Sequence, residues 1–295
     1  MLDTPKQLDN VLLVKQHEDT QMSIIMIPLL LLLGFAVGVP ASMVGLGGGI
    51  FMVPALILFL GLPAQNAVAI SVVAMLGTTF SASIGYMRQR RVDYKISLLY
   101  DILDIPGVLA GAYLTKILPQ DILVGICGLF VVFISVLLIR SRRSSASKET
   151  CEHVTHNRWK RRCVDSSNQV FEYAIRRPSL ALISSFMGGL VTGLVGLGGG
   201  ITDTTTMILV GVPPHIAVAT SEFAMALTNG AGVVAHGLLQ NIPWDYALPL
   251  TAGAFIGAQI GVMAAKRVEG KTLTKILSII ALLLGLRLIL SLFQL

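Results

Sequence analysis

The chain has 295 residues, of which 54% are hydrophobic and 13% charged, with a formal net charge of +6. An ordinary globular domain carries about 25% charged residues, and a soluble fold of this length could not hide so much apolar surface, so a water-soluble globule is excluded and a bilayer is the expected solvent. The positive charge is gathered in short clusters between apolar stretches, which sets nucleic-acid binding aside.

Read from the N-terminus, "MLDTPKQLDNVLLVKQHEDT" has no basic n-region, short apolar core or small-residue cleavage pattern. Residues 1–21 are therefore expected as a retained tail rather than a signal peptide. Apolar or small-polar stretches follow at 22–43, 64–87, 96–116, 121–139, 180–195, 214–237, 244–265 and 272–293. Most approach the ~20 residues that a helix needs to cross about 30 Å of hydrocarbon. Two shorter ones, 50–61 and 201–211, come directly after the motif GLGGGI, which occurs at 45–50 and again at 196–201. Strand-like alternation is missing, which disfavours a β-barrel. The expected fold class is an all-α integral membrane protein of two repeats, each with about five helical elements and a half-length helix after its GLGGG loop. Its parts are a first repeat at 22–140, a basic connector at 141–178 and a second repeat at 179–295.

Eighteen of the 22 Lys and Arg residues lie in three places: 88–95, 140–177 and 266–275. The positive-inside rule puts all three in the cytoplasm. In the first repeat the loop after the third element is basic and the next, "LPQD", is not. In the second, "GLLQNIPWD" lacks basic residues and the following loop has four. The reversal predicts inverted repeats with five crossings each; an even number of crossings would make them parallel. Duplication itself is visible in "GLPAQNAVAISV" (61–72) against "GVPPHIAVATSE" (211–222), and in Gly107 and Gly111 against Gly257 and Gly261.

GxxxG spacings such as 107–111 let helices approach closely. Three adjacent glycines cannot all face one neighbour, so Gly47, Gly48 and Gly49, like Gly198, Gly199 and Gly200, are expected to break a helix. The half-helices starting near Ile50 and Ile201 would then offer free N–H groups and positive dipole ends to an anion. Tight packing is the competing reading of the same glycines. Thr202, Thr204, Ser71, Ser221, Thr78 and Asn229 are candidate polar neighbours of that substrate site, although hydroxyls in membrane helices often bond only their own backbone. Glu222 stands inside "HIAVATSEFAMALTNGAGVVAH", where an ionisable side chain is functional by default. With Asp203 it is the candidate coupling group, for protons or alternatively for sodium. The first repeat has Val72 and Met52 at the corresponding positions.

Asp101 and Asp104 share a helix face but lie close to the basic 88–95 loop, so capping or ion pairing at the cytoplasmic rim is expected of them. His236 reads as a proton donor or an outer helix end, and Cys127 as an inert buried thiol. In the connector, Cys151, His153, His156 and Cys163 lack the spacing of common zinc sites. Arg158, Lys160, Arg161 and Arg162 beside Trp159 read instead as a strip for anionic lipid headgroups. No nucleotide, hydrolase or metalloprotease motif is present, so neither a cofactor nor enzymatic activity is expected.

At "GLGGGIFMVPAL" with "GLPAQNAVAISV", and "GLGGGITDTTTMI" with "GVPPHIAVATSE", the sequence resembles the sulfite exporter TauE/SafE family of membrane permeases, over about 24–293. The family's glycines followed by a proline carry onto Gly47, Gly48, Gly49 and Pro54. The second repeat departs from that pattern near Thr205 and at Glu222. The resemblance implies a secondary carrier, in export or exchange, for a small sulfur oxyanion or sulfonate, placed in the cell membrane and open to homodimer formation. An anion channel, a sodium-coupled carrier and an intramembrane enzyme are the alternatives.

Overall fold

The computed structural model describes residues 26–141, 160–164, 166, 170–174, 178–265 and 270–292. Helix α1 (Met26–Val44) runs into the first glycine loop. It is followed by α2 (Gly49–Leu60), α3 (Ala64–Arg88), α4 (Tyr94–Ile117) and α5 (Gln120–Ser141). The second repeat has α6 (Pro178–Val195), α7 (Gly200–Leu209), α8 (Pro214–Leu238), α9 (Trp244–Ala264) and α10 (Gly270–Ser291). Among the described residues, five helices, α1, α3, α4, α5 and α9, are long and apolar enough to cross a membrane. Helix α8 has the same 25 residues as α3, but Thr220, Ser221, Glu222, Thr228, Asn229 and His236 dilute its hydropathy. At 1.5 Å per residue, the 12 residues of α2 and 10 of α7 reach only about 18 and 15 Å.

The two sets of five elements interlock reciprocally. A methyl placed on Gly107 or Gly111 of α4 would lie 2.5 Å from the Phe186 carbonyl oxygen or 2.3 Å from that of Leu190, both on α6. At the matching positions, Gly257 and Gly261 of α9 meet the carbonyl oxygens of Phe35 and Val39 on α1 at 2.6 and 2.2 Å. The side chains follow the same rule: Ser42 Oγ donates to the Ala258 carbonyl at 3.2 Å, and Ser185 Oγ donates to the Tyr100 carbonyl. If element 4 of one repeat grips element 1 of the other in both directions, the repeats are related by an approximate two-fold axis, since a head-to-tail arrangement gives no such reciprocity. Glycine fits these seams because only a missing Cβ allows backbones so close.

The loops from α3 to α4 and from α8 to α9 also match. Arg90 (φ 55°) and Gln240 (φ 56°) turn the chain in the left-handed region, and the next amides, of Arg91 and Asn241, donate back to the carbonyls of Tyr86 and His236. A core made mainly of Leu, Ile, Val and Ala joins α1, α2, α3, α5, α6, α9 and α10, while large apolar side chains such as Leu32, Phe59, Leu129 and Met263 stay exposed on the outer surface. Such an exposed apolar belt suits lipid contact.

The connector adds an element that an all-α expectation did not contain. β1 (Lys160–Val164) pairs antiparallel with β2 (Val170–Ala174), Arg162 opposite Glu172 and Cys163 opposite Phe171. Cys151, His153, His156, Arg158 and Trp159, and the tail 1–21, lie outside the described residues.

Candidate functional site: two glycine loops and buried carboxylates

The glycine loops meet at the two-fold centre. Gly45, Gly47 and Gly48 (φ 78°, 68° and 96°), and Gly196 and Gly198 (φ 67° and 79°), adopt left-handed conformations open mainly to glycine. A methyl on Gly49 would fall 2.0 Å from the Gly196 carbonyl oxygen, and one on Gly200 would fall 2.8 Å from that of Gly45. Met75 and Met225 close the flanks: their sulfurs would lie 3.5 Å from a methyl on Gly47, and 3.0 and 3.8 Å from one on Gly198. The glycines thus break the helices and pack tightly, so the two readings of the motif coexist. Neither α2 nor α7 has a side-chain cap at its N-terminus, where Gly48 and Gly199 stand. The whole stretch 45–50 is buried, Ile50 completely.

Around this centre the polar candidates divide. Ser71 Oγ donates to the Gly196 carbonyl at 3.0 Å, so α3 holds the other repeat's loop. Its counterpart Ser221 instead shares a 2.6 Å hydroxyl pair with Thr204. Thr204 faces the first loop, its Oγ1 3.6 Å from a methyl on Gly45. Thr78 bonds only its own helix, at the Ala74 carbonyl, and Asn229 Nδ2 reaches Thr79 Oγ1 at 3.4 Å. Thr202 lends its carbonyl to Thr206. Ile201 lies in the first turn of α7.

Glu222 and Asp203, paired by the sequence as coupling candidates, face different surroundings. The fully buried Glu222 carboxylate looks toward the Gly47 backbone N–H without a complete hydrogen bond, with Tyr86 nearby. Val72, its counterpart, is equally buried. Asp203 points toward Gly188 of α6 and shares that neighbour with Asp104. Among the described residues Asp101 and Asp104 neither cap a helix nor join an ion pair: they are 3% and 0% exposed, and both contact Thr228 Oγ1 of α8, at 3.4 and 2.6 Å. Only their i, i+3 spacing hinted at this pairing. His236 lies in the last turn of α8, fully buried with Nε2 3.1 Å from the Gly193 carbonyl oxygen.

Outside the membrane-spanning part, Asp93 caps α4 through the amides of Lys95 and Ile96 and receives three bonds from the hairpin. Arg161 donates Nε to Oδ2 at 2.9 Å and Nη2 to Oδ1, and the Tyr173 hydroxyl donates to Oδ2 at 2.7 Å. Burial alone would push the Asp93 carboxyl up, but Arg161, Tyr173 and the Ile96 amide together hold it below its ordinary value of 3.8. The bond to Asp93 raises the Arg161 guanidinium, while burial, followed by Asp93, raises the Tyr173 hydroxyl. Arg161 is thus committed to Asp93 rather than to a lipid surface. Tyr173 also packs against Ile96, Tyr100, Met207 and Ile216, with Phe171 and Cys163 at the edge. The hairpin sits where α4 meets the α7 to α8 turn.

A multi-helix membrane body with two interlocked repeats, broken helices meeting at the centre and carboxylates buried among its spans is the architecture of a membrane transporter. The chain belongs to the Sulfite exporter TauE/SafE family, whose profile matches residues 30–288. Probable membrane transporter protein YunE of Bacillus subtilis (strain 168) is 31% identical over 270 residues, 88% of this chain and 96% of the relative. Probable membrane transporter protein MJ0441 of Methanocaldococcus jannaschii is 21% identical over 278 residues, 89% and 95% of the two chains. Sulfite exporter TauE/SafE family protein 3 of Arabidopsis thaliana is 40% identical over a shorter stretch of 81 residues, 28% of this chain and 17% of the relative. No solved structure matches the chain. Membership makes it a multi-pass plasma-membrane protein of an anion-transporter family, not an enzyme family.

Proposed function

We propose that the protein is a secondary carrier, acting as an exporter, for a small sulfur-containing anion such as sulfite or an organosulfonate, and that it is coupled to protons. The observation that carries this reading is the meeting of two N-termini without side-chain caps, those of α2 and α7, at the centre of the molecule. Backbone N–H groups and positive dipole ends favour an oxyanion there, and two termini on opposite sides suit a divalent one. In the form described here the loops touch each other, so substrate entry needs them to part. The two-fold relation between the repeats supplies a means: rocking one set of helices against the other would open the centre to each side in turn.

In this reading Gly47, Gly48, Gly49, Ile50, Gly198, Gly199, Gly200, Ile201, Thr202 and Thr204 present backbone and hydroxyl groups to the anion. Ser71 and Ser221 position the loops, and Asn229 and Thr78 line the adjoining helices. Glu222, aimed at Gly47, competes with the substrate for the same N–H when ionised. Taking up a proton relieves that competition, which couples the two events. In this reading the repeats are inverted, which the reversed basic loops support. Transport of labelled sulfite, thiosulfate, sulfate and a short sulfonate in proteoliposomes, with pH and sodium gradients imposed separately, tests the proposal. Accumulation of a sulfur anion that follows the pH gradient is expected, and flux that responds only to sodium would overturn the proton assignment.

A further inference from the structure

Asp101 and Asp104 of α4 and Asp203 of α7 form a second polar centre beside the second glycine loop, where a methyl on Gly199 would lie 3.3 Å from Asp203 Oδ2. Gly188 of α6 marks the point on which two of them converge: a methyl there would lie 3.2 Å from Asp203 Oδ1 and 3.7 Å from Asp104 Oδ1. Among the described residues, neither of those oxygens has a hydrogen-bond partner, nor does Asp203 Oδ2. The Tyr100 hydroxyl, on a side chain 1% exposed, is likewise without a partner among the described residues. None of the three carboxylates joins an ion pair among the described residues.

The hydrogen-bond geometry adds an independent constraint. Thr228 Oγ1 is 2.6 Å from Asp104 Oδ2 and 3.4 Å from Asp101 Oδ1, and Ser97 Oγ already serves the other Asp101 oxygen at 3.2 Å. A threonine hydroxyl has one proton. It can donate to one carboxylate, and satisfying the second contact requires that carboxyl group to donate in return. Three ionised carboxylates without a counter-charge are untenable in a dry interior. Among the described residues, no three acidic, imidazole or thiol side chains are arranged to hold a metal ion. A proton is the neutralising species that the shared Thr228 hydroxyl calls for.

We propose that Asp101 and Asp104, bridged by Thr228, together with Asp203, which meets Asp104 at Gly188, form a proton-binding site that borders the second glycine loop at Gly199. It rests on the transport reading for its use: bound between α4 of one repeat and α6, α7 and α8 of the other, these protons are released when the repeats move apart. The titratable groups on the surrounding elements are few. Tyr100 lies on α4 itself and Tyr173 of β2 packs behind it. On α8, His236 is engaged by Gly193, Glu222 faces Gly47, and His215 is exposed. On α6, Ser185 donates to the Tyr100 carbonyl.

Infrared difference spectra of the full-length protein in lipid, recorded on a step from neutral to alkaline pH, test the site without any transported substrate. Loss of protonated-carboxyl bands is expected in the wild type. Asp104→Asn and Asp203→Asn should each remove part of that signal, whereas Glu222→Gln should leave that part in place. Thr228→Val, which deletes only the shared hydroxyl, should shift the same bands in frequency and serves if an Asp variant does not fold. Bands unchanged in Asp104→Asn and Asp203→Asn, or in Thr228→Val, overturn the proposal. So does sodium-dependent thermal stabilisation at fixed pH that disappears in Asp203→Asn. If proteoliposomes carry no sulfur anion but the bands behave as expected, the proton site stands and the substrate reading falls.

Discussion

Ser71 Oγ donates a hydrogen bond to the Gly196 carbonyl at 3.0 Å, so a helix of the first repeat fixes the glycine loop of the second. Its counterpart Ser221 pairs with Thr204. The two-fold relation is therefore close in backbone and broken in chemistry at this pair, Ser221 meeting a hydroxyl where Ser71 meets a carbonyl.

The tightness of the loop contact makes Gly49→Ala costly. Its Cβ would meet the Gly196 carbonyl oxygen at 2.0 Å and the Met75 sulfur at 2.7 Å. Overpacking of this kind costs roughly 1–3 kcal/mol or more, so a lower thermal midpoint in detergent and loss of anion binding are expected. Gly230→Ala is the control, because a methyl there meets nothing within 4 Å. Equal stability of the two variants would show that the loops separate easily.

Glu222→Gln should preserve the fold and much of the anion binding while ending accumulation driven by a pH gradient. Since Val72 occupies the matching position with full burial, Glu222→Val should also fold. Uphill transport in Glu222→Gln with an unchanged pH dependence would remove Glu222 from the coupling step.

The hairpin latch on Asp93 has a defined pH window. Its carboxyl is held below the ordinary value of 3.8 by Arg161 and Tyr173 against the opposing effect of burial. A depressed value means that the docked state gains stability above 3.8 and loses it as pH falls through the lower, docked value. Amide exchange in 160–164 and 170–174 should therefore stay slow from neutral pH down to that range. Asp93→Asn should accelerate it at neutral pH, by an amount on the order of 1.5–3 kcal/mol for hydrogen bonds to a charged group. Identical exchange in the variant would mean that the apolar contacts of Tyr173 alone hold the hairpin.

The orientation of the repeats is open to cysteine labelling. Positions in 88–92 and 268–272 should react only when reagent reaches the cytoplasm, and those in 119–121 and 239–242 from outside. External labelling of 268–272 would make the repeats parallel.

Much of this molecule could be read before any coordinates. Apolar length announced the membrane helices because lipid removes every alternative partner for the backbone. The duplicated GLGGG marked the helix breaks, and α2 and α7 begin at Gly49 and Gly200, within a residue of the predicted starts. Glycine spacing at 107–111 and 257–261 signalled close helix contact. The hairpin was not legible, since ten residues of weak β pattern in a basic connector gave no periodicity to set against its charge.

What the sequence by itself determined was therefore local and repetitive: spans, breaks, duplication and the presence of costly carboxylates in oil. Which of those carboxylates face each other was decided by the tertiary structure alone. Asp203 is 99 residues from Asp104 in the chain, and the two converge on Gly188 only because α4 packs against the first helix of the opposite repeat. Glu222, separated from Asp203 by 19 residues, is carried to Gly47 instead. Helical periodicity places a side chain on a face of its own helix. The neighbour that face meets depends on how the two repeats interlock, and that is fixed by the missing Cβ atoms along the seams between them.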